Sequence, residues 1–240
     1  MAVKDPGARS TPGKGITFTI DPKRGLWYRF VKVVVIGASK LLFHPEIIQD
    51  EPIPTTGAVL IAPVHRSNLD FIFAVYLTDR KVFYMAKDSL WKSRLLGALL
   101  VSLGAFPVHR ESADRESLQR AEQVLAMGEV LVMFPEGTRQ SGDGVAELHE
   151  GATYLASKTG ARLVPMGIAG TDVAMAKGAK LPKPTKVVVV TGSSIAPADK
   201  GESGRISRSK VKASTAELAE GIQAVYDRSR ERLSARAAGS

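Results

Sequence analysis

The heptapeptide VHRSNLD, residues 64–70, sets His65 and Asp70 five positions apart with Ser67 between them. An imidazole is a general base near neutral pH, and a carboxylate on its Nδ1–H would fix the tautomer and leave Nε2 free to take a proton. The same residues also read as a helix start. Ser67 can cap a helix beginning near Asn68, and Asp70 can close a capping box in its first turn. On that second reading Asp70 has no catalytic part. His65 is harder to absorb, because it follows the apolar run AVLIAP at a strand-to-helix turn. Open α/β sheets hold their ligands at such turns.

Two further stretches end apolar runs in the same way. In FPEGTR, residues 134–139, Pro135 stops a strand and Gly137 permits an unusual backbone angle and close approach of a ligand. Thr138 offers a hydroxyl and Arg139 a planar fork suited to phosphate. An ordinary strand-ending turn with a surface arginine is the alternative. In GAFPVHR, residues 104–110, Arg110 follows a short strand. One base, one acid and two arginines at three strand ends suit removal of a proton from a hydroxyl held near a phosphate. The stretch GARSTPGKG, residues 7–15, imitates a phosphate-binding loop. It has one residue too many between its glycines and Gly15 where Ser or Thr is needed. No HExxH, GxSxG or GxGxxG pattern occurs, and no cluster has metal-ligand spacing. The absence of cysteine excludes disulfides, thiolate metal sites and a cysteine nucleophile.

The elements that must position these groups follow from residue 58 onward. Strands are expected at 58–64, 81–86, 105–110, 129–134, 162–170 and 185–192. Helices are expected at 68–79, 89–104, 113–128, 150–159 and 210–236. The alternation predicts a single α/β domain over residues 46–240, with a mostly parallel central sheet flanked by helices and a helix closing the chain. Residues 1–25, rich in Gly, Pro and Lys, read as a flexible basic leader. Residues 26–45 read as an amphipathic membrane-anchoring helix, with Arg29, Lys32, Ser39 and Lys40 on one stripe turned to lipid headgroups; a helix buried against its own domain is the alternative.

The net charge of +9 sits at the two ends. Residues 1–45 carry eight Lys or Arg against two Asp or Glu, whereas residues 46–200 carry 17 against 17. Basic ends suit an anionic membrane surface, and the neutral body argues against nucleic acid. A non-enzymatic basic binder of membrane or nucleic acid is the rival of another class. No secretory h-region and no run of 18 uncharged apolar residues is present.

HRSNLD, GAFPVHR, FPEGTR and VPMGIAG occur in that order, and together they resemble the four blocks of the glycerolipid acyltransferase family. The similarity runs from about residue 55 to 170, with looser agreement on either side. It implies acyl transfer from acyl-CoA or acyl carrier protein to a lysophospholipid hydroxyl, above all that of 1-acylglycerol-3-phosphate, at the cytoplasmic face of the cell membrane. Glycerol 3-phosphate or another lysolipid or glycolipid is the alternative acceptor. No cofactor is implied beyond the acyl donor as co-substrate. By resemblance His65 is the base and Asp70 orients it. Arg110, Glu136, Gly137, Thr138 and Arg139 bind the acceptor's glycerol phosphate. Ser67 fills the small polar position of the first block, and Pro165 belongs to the donor side. The chain departs from the pattern at Val64, where asparagine is common, and at His109, where aspartate is common. It departs again at ELHEGA, residues 147–152, where lysines are common. These changes bear on the acceptor headgroup rather than on the reaction.

Overall fold

A computed structural model describes residues 24–108, 115–179, 181–200 and 205–239. The leader expected over 1–25 therefore lies almost wholly outside the described residues. Seven strands form one sheet among them: β1 (Glu46–Gln49), β2 (Val59–Pro63), β3 (Val82–Lys87), β4 (Ala105–Val108), β5 (Val130–Val132), β6 (Arg162–Ala169) and β7 (Val188–Thr191). Their order is β1-β7-β6-β2-β5-β3-β4. Neighbours are parallel except β6 and β7, which pair antiparallel. The expected mostly parallel α/β sheet is present. Its centre is built from buried runs such as VLIAP and VLV, as a sheet covered on both faces requires.

The helices are α1 (Arg24–Phe43), α2 (Asp70–Phe73), α3 (Arg94–Ser102), α4 (Arg115–Ala126), α5 (Gly151–Thr159), α6 (Thr171–Ala174) and α7 (Arg208–Ala238). The steps β2 to β3 and β3 to β4 move one way across the sheet. The steps β4 to β5 and β5 to β6 move back. Right-handed crossovers then put α2 and α3 on one face and α4 and α5 on the other. The long α7 joins the second face along β6 and β7. Its approach to β6 is so close that a Cβ added to Gly167 would stand 2.3 Å from the Val225 carbonyl oxygen. Pro165 lies mid-strand in β6, buried under α7. Its missing N–H falls where the β7 ladder ends, and its carbonyl accepts from Gly192 N at 3.1 Å.

Several expectations change. The helix expected at 68–79 is one α-turn, α2, followed by a 3-10 turn over Ala74–Tyr76. The segment 89–104 breaks into a 3-10 turn at Asp88–Lys92 and then α3. Neither β1 nor α6 was expected, because each is only four residues long.

The helix α1 is present but turned over. Of the expected headgroup-facing stripe, Lys32 and Ser39 point into the protein. The Lys32 ammonium donates to the Thr78 carbonyl, and Ser39 Oγ lies 2.6 Å from Tyr76 Oη. Tyr28, 6 % exposed, accepts from Val82 N through its hydroxyl, and Phe43 packs edge-on against Phe73. The outward side is apolar instead: Leu26 is 78 % exposed, Val33 68 % and Leu41 76 %, with Phe30 and Val34 between them. Arg29 and Lys40 stay exposed along its flank. Trp27 Nε1 donates to Ser102 Oγ, tying α1 to α3, whose Leu95 and Leu99 are exposed as well. Among the described residues no helix is long and apolar enough to cross a membrane.

Candidate active site

The strands β2 and β5 are parallel neighbours, with Ile61 opposite Val132, so their carboxyl ends deliver VHRSNLD and FPEGTR to one place. The imidazole of His65 lies against the Phe134 ring at a centroid distance of 4.1 Å, and its Nδ1 is 3.0 Å from Asp70 Oδ2. The same Asp70 oxygen accepts the backbone N–H groups of Arg66 and Ser67, each at 2.7 Å. The other oxygen, Oδ1, accepts Thr171 Oγ1 at 2.6 Å. A carboxylate only accepts hydrogen bonds, and this one is fully buried among donors. Nδ1 of His65 therefore carries a hydrogen, and in the neutral ring the lone pair is the one on Nε2.

The helix-start reading of the heptapeptide holds in part. Asp70 does reach back to the Ser67 N–H, as in a capping box. Ser67 Oγ, however, accepts from Leu69 N at 3.3 Å and donates to the Met175 carbonyl at 2.9 Å. The residue before α2 is Leu69, with no side-chain cap. Ser67 is 1 % exposed, so its hydroxyl pins the turn rather than meeting a substrate.

The third block also corrects the expectation. The resemblance made Glu136 a ligand of the acceptor's glycerol phosphate, but its carboxylate is turned inward. It accepts His65 N at 2.7 Å, Ala146 N at 3.0 Å and Arg66 Nη1 at 3.0 Å. At 3 % exposure, and with a negative charge of its own, that group is unsuited to hold a phosphate. Arg66, which the sequence reading passed over, is its buried partner. The guanidinium also donates to the carbonyls of His65 and Gly144 and stands 4.8 Å above the Tyr226 ring of α7. Burial opposes its charge, but Glu136 and Tyr226 together outweigh that and hold it above its ordinary value. The His65 carbonyl accepts from Gln140 N at 2.9 Å, so the backbone on both sides of the imidazole is fixed.

The remaining residues of the block face outward. Gly137 has φ of 70°, and the His149 ring fills the space where its Cβ would be, 2.9 Å away. Thr138 is exposed and its hydroxyl accepts from Gln140 Nε2 at 3.1 Å; Arg139 is half-buried. Lys87, the last residue of β3 and exposed, adds a cation at the same carboxyl edge that the sequence reading did not single out. Arg110 lies outside the described residues. Pro165 sits one strand over, opposite Ala62, and lines no open surface. Among the described residues no three His, Asp or Glu side chains are grouped to hold a metal ion.

The chain belongs to the acyltransferase family, whose profile matches residues 44–169. Over 155 residues it is 31 % identical to the 1-acyl-sn-glycerol-3-phosphate acyltransferase of Bacillus subtilis, covering 64 % of this chain and 75 % of that one. It is 30 % identical over 173 residues to the enzyme of the same name from Chlamydomonas reinhardtii, covering 70 % of this chain and 48 % of that one. The fold is that of the 1-acyl-sn-glycerophosphate acyltransferase of Thermotoga maritima. The TM-score is 0.68 at 21 % identity, over 87 % of this chain and 83 % of that one.

Proposed function

We propose that the chain moves a fatty acyl group from an acyl thioester, acyl-CoA or acyl carrier protein, to the free hydroxyl of 1-acylglycerol-3-phosphate, giving phosphatidic acid. The observation that carries this reading is the His65–Asp70 pair at the end of β2, with Nδ1 of the ring held on a buried carboxylate and Nε2 left as the base. The names of the relatives supply the acceptor.

In the reaction the acceptor hydroxyl hydrogen-bonds to His65 Nε2. The imidazole takes its proton as the oxygen attacks the thioester carbonyl, and Asp70 stabilises the imidazolium that forms. The tetrahedral intermediate collapses, the C–S bond breaks, and the thiolate leaves, taking up the proton that His65 holds. Acceptor and ester product retain the phosphate, for which Arg139, three residues beyond Glu136, is the counter-charge. The acyl chains bring the reaction to a membrane, and the outward apolar side of α1, flanked by Arg29 and Lys40, suits peripheral docking on an anionic leaflet. A cytoplasmic face fits a donor pool of CoA or carrier-protein thioesters.

The test is release of free thiol from palmitoyl-CoA on addition of 1-acylglycerol-3-phosphate. The protein adds no thiol background, since it has no cysteine. Wild type should release CoA only with the acceptor present. His65→Ala should lose about 10²- to 10⁴-fold of that rate, the usual worth of a general base. Undiminished turnover in His65→Ala would overturn the mechanism, and no acceptor-dependent release would overturn the function.

A further inference from the structure

Asp70 has two oxygens, and the backbone of the catalytic turn uses only one of them. Oδ2 takes His65 Nδ1 and the N–H groups of Arg66 and Ser67. The terminal torsion of an aspartate is a soft two-fold rotor, so contacts to one oxygen alone fix the carboxylate plane poorly. The second oxygen is held from elsewhere in the chain. Thr171 Oγ1, fully buried in the turn that follows β6, donates to Oδ1 at 2.6 Å across 101 residues of sequence. Because the carboxylate can only accept, the hydroxyl proton of Thr171 must point at it.

The backbone that carries Thr171 is itself fixed. Gly170 before it has φ of 94° and packs so tightly that a Cβ there would stand 2.3 Å from the Lys186 carbonyl oxygen. The far end of α6 is tied to the catalytic turn a second time, where Ser67 Oγ donates to the Met175 carbonyl. The short α6 thus clasps the turn at both ends, one bond to the carboxylate and one to its neighbour.

From this geometry we infer that Thr171 is the third member of the catalytic relay, a positioning residue that locks the plane of Asp70 and through it the tautomer and orientation of His65. The inference rests on the reading of His65 as the base, and it deepens that reading. It predicts an effect on turnover without an effect on substrate binding, because the Thr171 hydroxyl is buried behind the carboxylate. A packing residue would give the opposite pattern, a loss of stability shared by every step.

The experiment compares wild type, Thr171→Val, Thr171→Ser and His65→Ala in two readouts. The first needs no activity: the downfield imidazole Nδ1–H proton resonance, assigned to His65 by its loss in His65→Ala. It should be present in wild type and Thr171→Ser and broadened away by solvent exchange in Thr171→Val. The second is steady-state kinetics. Thr171→Val should lose about 10- to 100-fold in kcat, the scale of a small misplacement of a catalytic group, with both KM values within about twofold of wild type. Thr171→Ser should stay within about threefold. Should valine fail to seat, Thr171→Ala gives the same comparison without β-branched bulk. A Thr171→Val protein that keeps the resonance and more than about half of kcat overturns the proposal. So does a Thr171→Ser protein as poor as the valine variant, or a wild type with no such resonance. Full turnover in His65→Ala would instead overturn the base assignment, and the resonance would still decide what Thr171 does.

Discussion

Replacing Glu136 with glutamine separates its two possible uses, because the substitution keeps the side chain's size and removes its charge. In the structure that charge is opposite Arg66, which is 5 % exposed. Removing one partner of a buried ion pair typically costs about 3–5 kcal/mol, since the other charge is left without compensation. Arg66 keeps the carbonyls of His65 and Gly144 and the face of Tyr226, which favours the lower end, about 3 kcal/mol. For a chain of this size that lowers Tm by about 6–12 °C. Adding Arg66→Met should recover part of the loss. The stranded charge is then gone, while the glutamine carbonyl can still accept from His65 N. Thermal unfolding followed by near-ultraviolet circular dichroism measures the stabilities, and acceptor titrations at fixed acyl-CoA measure KM. The acceptor KM of Glu136→Gln should change little, while kcat falls, because an amide has one oxygen for the two backbone donors, His65 N and Ala146 N, that the carboxylate serves. A Glu136→Gln protein with wild-type Tm and a tenfold higher acceptor KM would refute the reasoning and return Glu136 to the substrate.

Two further outcomes are expected. Phe30→Asp together with Val33→Asp on the outer side of α1 should abolish co-sedimentation with anionic vesicles. Two fully buried apolar side chains are worth at least about 3 kcal/mol, or more than about 100-fold in partitioning. The melting temperature should barely move, because exposed substitutions usually stay within about 0.5 kcal/mol; a large drop in Tm with vesicle binding intact would mean that this side packs on protein. The second concerns pH. Hydrogen bonds from Arg228 hold the Asp50 carboxyl below its ordinary value, so its contribution is complete above the unfolded carboxylate value and is lost as pH falls through the lower folded one. Asp50→Asn should therefore be less stable at pH 7, by under about 1 kcal/mol for so exposed a pair. Urea titrations should show the gap closing toward acid, and a gap that widens instead would reverse the sign of the linkage.

What the sequence made legible was whatever is local in it. Runs such as VLIAP and VVVT announce buried strands by composition alone, and His65 with Asp70 fall within one turn. The four-residue strand EIIQ has no such signature. Its register comes from Val188–Thr191 and from a row of arginines on α7, with Arg228 reaching Asp50 and Arg232 and Arg236 reaching Glu46. Thr171 and the Arg66–Glu136 pair were hidden for the same reason: each contact joins residues 70 or more apart, and only the sheet order β6-β2-β5 makes them neighbours. The case of α1 is different, since its amphipathic pattern is legible and its polar residues follow the alternative of packing against its own domain. Polar stripes are assumed to face water, but Tyr28, Lys32 and Ser39 find their partners inside, on Val82, Thr78 and Tyr76. A helix that satisfies its polar groups against its own domain leaves Leu26, Phe30, Val33 and Leu41 as an exposed apolar side. The orientation of α1 is thus itself an argument for the peripheral docking proposed above.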